Sequence, residues 1–334
     1  VGSPAVSRRR NLSPWAYWQL RLASAPAGGP IATTASERES LRAQVRTMLG
    51  PDPQRVEPDV EITDVVDCGS YRRERIVFDA EDAMSVPAYR LVPHDRVAPG
   101  PAVLAIHGHG PGKRQICGLD AGVGAFGHDV AAAGYVVLAP DLRCFGERTD
   151  PQWDSSEYKY DCDWNLVCAV MAGVNPLAQN LWDLRVALDV MSSDPLVDPA
   201  RIGACGFSYG GTSALYLTAL DERVRAAVVS GYLSSWAAAH RVPWNMCGSQ
   251  IMWGQQGVLE HAQLASLVAP RPLLIESGTD DPLFPVAVAR QTVATVSALW
   301  DAAGTPDALV HDVFDGEHRW NGVLVEEFFD RHLR

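Results

Sequence analysis

From residue 72 onward the chain is a succession of short apolar runs, each stopped by glycine or aspartate, with helical patterns between them. "AVLAIHG", "YVVLAPD", "RIGACGF", "RAAVVSG", "PLLIESG" and "ALVHDVFDG" are mostly continuous in apolar residues, as strands covered on both faces must be. Two alternating runs, "RERIVFDA" and "MSVPAYRLV", precede them and predict a leading antiparallel pair. Helical patterns fall near 120–133, 177–193, 209–220, 285–303 and 321–333. Strand–helix alternation of this kind predicts an α/β fold, a mostly parallel eight-stranded sheet with helices on both faces.

The stretch before the strands is different. Residues 1–35 are rich in Pro, Gly, Ala and Ser and read as an irregular arm, with Trp15, Tyr17 and Trp18 placed to pin it to the body. "SERESLRAQVRTMLGP" then predicts a short helix: Ser36 and Glu39 have capping-box spacing, Leu41, Val45, Met48 and Leu49 make an apolar stripe, and Gly50-Pro51 ends it. The expected organisation is therefore an arm and helix over 1–70 packed on a main domain over 71–334. Two connections inside that domain, 144–176 and 232–262, are too long for simple crossovers. Both carry aromatics and both should emerge at the carboxyl ends of strands, where open α/β sheets bind ligands. They read as lid-like insertions.

The overall balance excludes several function classes. A formal net charge of −12 over 334 residues, with no basic stripe, argues against nucleic acid as a partner. No apolar run is long enough for a spanning helix, so no membrane is expected. The seven cysteines are odd in number and scattered, and none forms a C-x-x-C pair, so neither a zinc site nor a disulfide framework is expected. A reducing, cytoplasmic compartment fits that usage best. The sequence leaves open whether the chain forms a homo-oligomer.

The chemistry concentrates at Gly206-Phe207-Ser208-Tyr209-Gly210, a G-x-S-x-G pentapeptide between a strand pattern and a helix pattern. That setting is a nucleophile elbow: side chains at 206 and 210 would collide with the neighbouring strand and helix, and Ser208 is lifted onto a helix N-terminus that favours developing negative charge. A nucleophilic serine needs a base, and the base an orienting carboxylate. Later strands supply both in the order Ser…Asp…His: Asp280 and Asp281 follow "PLLIESG", and His318 follows the last strand. The glycine-rich loop "HGHGPGK" ends an earlier strand, so the backbone N–H groups of His109 and Tyr209 are candidate oxyanion donors. His107 and His109 lack a carboxylate or third histidine at matching spacing, so no metal and no cofactor is expected. "GVGAFG" at 122–127 fits G-x-G-x-x-G, but no strand leads into it, which argues against a dinucleotide site.

Together these segments resemble the α/β-hydrolase superfamily, in its dienelactone hydrolase and acetyl xylan esterase-like branch. The likeness covers about residues 70–334 and rests on "HGHG" at 107–110, "DLRCFGE" at 141–147, "GFSYGG" at 206–211, "GTDDPLFP" at 278–285 and "GEH" at 316–318. In that branch the acid lies three residues after the glycine and four before the proline, which selects Asp281 over Asp280. The resemblance also implies that Asp141 and Arg143 brace their loop. Dienelactone hydrolases proper commonly use cysteine, so their activity does not transfer to a serine elbow.

The expectation is thus a cofactor-independent serine hydrolase cleaving a small to medium, partly hydrophobic carboxylic ester through Ser208, His318 and Asp281 and an acyl-enzyme. Amide, lactone or thioester hydrolysis, acyl transfer, or a silent fold used for binding remain open. Tyr158, Tyr160, Trp164 and Trp244 are the expected substrate-binding wall, enclosing a small-molecule ester above Ser208.

Overall fold

The computed structural model describes residues 13–24, 28–122, 124–149, 158–242 and 245–334, and of 158–160 the backbone alone. Strands β1 (Glu61–Asp67), β2 (Tyr71–Glu81), β3 (Met84–Pro93), β4 (Gly100–Ile106), β5 (Val136–Pro140), β6 (Val197–Phe207), β7 (Val224–Ser230), β8 (Leu273–Gly278) and β9 (Leu309–Phe314) form one sheet. Its order is β1-β2-β3-β5-β4-β6-β7-β8-β9. The first four in that order pair antiparallel, and from β5 to β9 the pairing is parallel.

The sheet has nine strands where eight were expected. The extra one is β1, "EITDVVD", an edge strand with almost every side chain exposed. It buries no face, so it carries no apolar pattern to find. Because β1 pairs along β2 from Glu61↔Val77 to Asp67↔Arg72, the sheet begins before residue 70.

Helices α1 (Pro14–Ala23), α2 (Ala35–Leu49), α3 (Lys113–Ile116), α4 (Phe126–Ala132), α5 (Tyr158–Ala172), α6 (Pro176–Ser193), α7 (Tyr209–Leu220), α8 (Trp236–Ala239), α9 (His261–Ser266), α10 (Val286–Ala302) and α11 (Val325–Leu333) connect and cover the strands. Along β4, Ala102, Leu104 and Ile106 join one apolar cluster and Val103 and Ala105 the other. The first cluster includes Val45 of α2, Leu184 of α6, Leu215 of α7 and Trp300 of α10. The second includes Val130 of α4 and Phe328 and Phe329 of α11. Each large aliphatic side chain buried this way contributes roughly 1.5–3 kcal/mol, which is why the central strands need apolar residues at successive positions.

Two local expectations change. α2 starts two residues earlier: Thr34 caps it and Glu37 closes the capping box, in place of Ser36 and Glu39. The arm contains α1, opened by Ser13 and Pro14, where an irregular segment was expected. Its Trp15, Tyr17 and Trp18 stay about half exposed, and the Gln19 side chain instead reaches the His240 carbonyl at 3.0 Å.

The described parts of both long connections carry structure of their own. The first contains α5. In the second, Trp236 is buried, its ring N–H donates to the Leu259 carbonyl, and its ring meets His261 edge-on at 4.4 Å. That aromatic is core packing rather than lid lining.

Candidate active site

β4 pairs with β5 on one side and β6 on the other, and the chain leaves these neighbours over opposite faces of the sheet. The crevice at their carboxyl ends is the topological switch point where such sheets bind ligands. Ser208 sits there, between the end of β6 and the start of α7, at φ 56° and ψ −116°. A non-glycine residue held so costs on the order of 1–3 kcal/mol, and the surroundings enforce it. A Cβ on Gly206 would stand 2.1 Å from the Gly210 carbonyl oxygen, and one on Gly210 would stand 2.0 Å from that of Ile106. Strand, turn and helix therefore meet at backbone contact. The Ser208 N–H donates to the Ser230 carbonyl at 2.9 Å, locking the turn to β7.

Two further loops from the same sheet edge converge on this serine. His318, after β9, lies with Nε2 3.0 Å from Ser208 Oγ and Nδ1 2.7 Å from Asp281 Oδ2. A carboxylate accepts, so Nδ1 carries the proton and Nε2 faces the hydroxyl as acceptor. The other Asp281 oxygen accepts from the amides of Leu283 (2.8 Å) and Phe284 (3.0 Å). Asp281 is buried, whereas Asp280 is exposed and its backbone N–H ties to the Gly316 carbonyl. The rings of Phe207 and Phe284 lie 4.6 and 5.6 Å from the His318 ring and shield it.

The loop after β4 completes the crevice. Gly108 passes so near the serine that a Cβ there would meet the Phe207 carbonyl at 2.9 Å and Ser208 Cβ at 3.4 Å. His109 follows directly, its ring 5.1 Å from that of Tyr209 and 5.6 Å from that of Phe145. Tyr209 is the first residue of α7, where the helix leaves backbone N–H groups without internal partners. His107 is structural: Nε2 accepts the Leu142 N–H at 2.9 Å and Nδ1 donates to the Gly108 carbonyl. Burial pushes its pKa down, which keeps the ring neutral in that role.

Asp141 and Arg143 are both buried. The Asp141 carboxylate accepts from the Lys113 and Glu147 amides and the Lys113 ammonium. Arg143 grips Asp183 through Nε and Nη2, both at 2.9 Å, and its own N–H donates to Asn180 Oδ1. Asn180 in turn donates to the Tyr209 hydroxyl at 2.9 Å. Asn180 and Glu276 are contributors the sequence reading missed. Glu276 lies within a strand read only as apolar, yet it accepts the amides of Asn321 (3.3 Å) and Gly322 (2.8 Å) just after His318. A lone carboxylate inside a fully buried run was the available signal.

Of the four expected wall residues, Trp244 lies outside the described residues, and so do the side chains of Tyr158 and Tyr160. Trp164 on α5 is 54% exposed, facing outward rather than sealed in a wall. Among the described residues, one group could hold a metal ion: a ring nitrogen of His109 and the sulfurs of Cys162 and Cys247 all lie within 4.8 Å of one another. Sequence spacing concealed it because each residue comes from a different loop or helix.

A nine-stranded, mostly parallel sheet with a serine elbow at its switch point defines an α/β-hydrolase. Within that class, the chain belongs to the Abhydrolase family, whose sequence profile matches residues 33–242. A Bacillus subtilis (strain 168) protein named "Putative hydrolase YtaP" is 30% identical over 281 residues, covering 81% of this chain and 90% of the relative. Among solved structures, a Bacteroides fragilis NCTC 9343 protein described as a "putative acetyl xylan esterase" superposes with a TM-score of 0.75 at 18% identity, covering 98% of this chain and 92% of the other. The glucuronoyl esterase from Solibacter usitatus gives a TM-score of 0.67 at 16% identity, covering 92% and 99%. At those identities the two structures establish the shared fold.

Proposed function

We propose that the protein is a serine hydrolase of carboxylic esters. The observation that carries this reading is the unbroken row Ser208 Oγ, His318 Nε2, His318 Nδ1, Asp281 Oδ2, with spacings of 3.0 and 2.7 Å across its two hydrogen bonds. Ser208 attacks the acyl carbonyl carbon as His318 takes its proton. Asp281 holds the ring in the productive tautomer and stabilises its cation. The N–H groups of His109 and Tyr209 take the oxyanion, helped by the α7 N-terminus. His318 then protonates the departing alcohol, and a water activated the same way releases the acid from the acyl-enzyme.

Ester substrates are favoured because acetyl xylan and glucuronoyl esterases share the fold. A partly hydrophobic substrate of small to medium size fits the Phe145, Phe207 and Phe284 rings around the row. The seven free thiols support a reducing, cytoplasmic setting.

A fluorophosphonate probe tests the reading. It should label Ser208 in the wild type and nothing in Ser208→Ala, which should lose on the order of 10⁴-fold or more in kcat on p-nitrophenyl esters. A lactone and an anilide run beside an acetate-to-palmitate series identify the bond cleaved. Near-normal ester turnover by Ser208→Ala refutes the proposal.

A further inference from the structure

We propose that His109, Cys162 and Cys247 form a binding site for a thiophilic divalent cation of the zinc type, which ties both long connections to the loop beside Ser208. The three ligand atoms come from the loop after β4, from α5 and from the segment before the 3₁₀ turn at Gly248–Gln250. Zinc bonds of about 2.3 Å to sulfur and 2.0–2.1 Å to nitrogen place tetrahedral ligands about 3.5–3.8 Å apart. A group already within 4.8 Å needs only small side-chain rotations to close on an ion.

The site is dry and its donors are poorly served without a cation. Cys162 is 0% and Cys247 2% exposed. The Nε2 atom of His109 is sealed from solvent with no hydrogen-bond partner, a state that costs about 1–3 kcal/mol. Cation binding displaces one proton from each ligating thiol to solvent, and the Cys162 and Cys247 thiolates balance the two positive charges.

Cys144 lies outside the 4.8 Å group but near Cys162, and it sits at φ 73°, a conformation a cysteine rarely adopts. The fourth position is left to a water, or to Cys144 as a third thiolate that would make a closed, anionic Cys₃His site. None of this depends on the ester reading. The ion's position gives it an effect on Ser208 chemistry only through the His109 loop.

The test uses the full chain, reduced, stripped with a chelator and titrated with Co²⁺, then with Zn²⁺. Tetrahedral thiolate coordination gives cobalt a sulfur-to-metal charge-transfer band and intense visible bands, which surface histidines and carboxylates do not. Wild type and Cys168→Ser, altered at an exposed thiol on α5, should bind one equivalent with both signatures, and zinc should displace the cobalt. Cys162→Ser and Cys247→Ser should lose the charge-transfer intensity of the missing sulfur and bind zinc at least 100-fold more weakly. Circular dichroism shows whether those variants fold, and if they do not, the wild-type titration decides alone. Absence of the sulfur band in wild type, or an undiminished band in both folded variants, overturns the site.

Discussion

Asp281 grips His318 with one oxygen and the protein backbone with the other: Oδ2 is 2.7 Å from His318 Nδ1, and Oδ1 takes the amides of Leu283 and Phe284. The carboxylate cannot swing away without breaking all three contacts, so the ring is fixed in tilt and tautomer. In Asp281→Asn the backbone amides hold the side-chain oxygen and turn its NH₂ toward the ring. Nδ1 must then become an acceptor, which moves the proton to Nε2 and leaves nothing to accept from Ser208. We expect a loss of about 10³–10⁴-fold in kcat with a folded protein. Asp280→Asn, altering an exposed carboxylate, should stay within a few-fold of wild type. Parallel kcat measurements on one ester check the pair, and the reverse ranking would show that the wrong aspartate has been assigned.

The elbow makes a steric prediction. At Gly210 an added Cβ meets two backbone oxygens, those of Ile106 at 2.0 Å and His107 at 2.8 Å, and neither can rotate aside. Gly210→Ala must push α7 off β4 and shift the loop that carries His109. Overpacking typically costs 1–3 kcal/mol, and backbone against backbone belongs at or above the top of that range. Gly29, where a Cβ would find its nearest neighbour 4.0 Å away, is the matched control. Urea denaturation should place Gly29→Ala near wild type and Gly210→Ala at least about 3 kcal/mol lower.

Those two regions also mark what could be read without coordinates. β4, β6, β7 and β8 are buried on both faces, so their composition alone announced a parallel sheet. Ser208 and His318 were legible as candidates because chemistry at a strand end needs a particular residue in a particular turn, and the structure brings the two together. Asp280 and Asp281 could not be separated from local pattern, since the difference is which side chain points inward after β8. β1 was hidden because an exposed edge strand has no apolar face to display. The His109, Cys162 and Cys247 group was hidden for another reason: its ligands are brought together by tertiary packing of three separate segments, and no local spacing encodes that.

Arg143 predicts how much the site depends on its buried scaffold. Its guanidinium meets Asp183 with two hydrogen bonds of 2.9 Å, also reaches Glu81, and its amide fixes Asn180 beneath Tyr209. Asp183 is about 2% exposed, so removing its main cation strands a charge with Arg148 alone. Breaking a buried pair from one side costs about 3–5 kcal/mol. Arg143→Ala should lose stability on that scale in urea melts. Arg143→Lys should recover part of it, since an ammonium keeps the charge but cannot make the fork. Equal stability of all three proteins would mean the brace is slack.

His261 gives the molecule a predictable acid sensitivity. It is fully buried against Trp236, and its Nδ1 accepts the Ser234 N–H at 3.1 Å, which requires an unprotonated nitrogen. Burial first, and the neighbouring His240 second, lower its pKa to about 3. In the unfolded chain a histidine titrates near 6.5. Between those values the unfolded state binds the extra proton, so the stabilising contribution is intact above about pH 6.5 and is lost as the pH falls toward 3. From pH 7 to pH 5 this one group should remove about 2 kcal/mol of unfolding free energy. His261→Asn keeps an acceptor for the Ser234 amide and removes the titration. The variant should start lower at pH 7 because it underfills the pocket beside Trp236, but fall less between pH 7 and pH 5, by about that 2 kcal/mol. Unfolding free energies from urea melts at the two pH values supply the comparison, and identical falls in both proteins would place the acid sensitivity elsewhere.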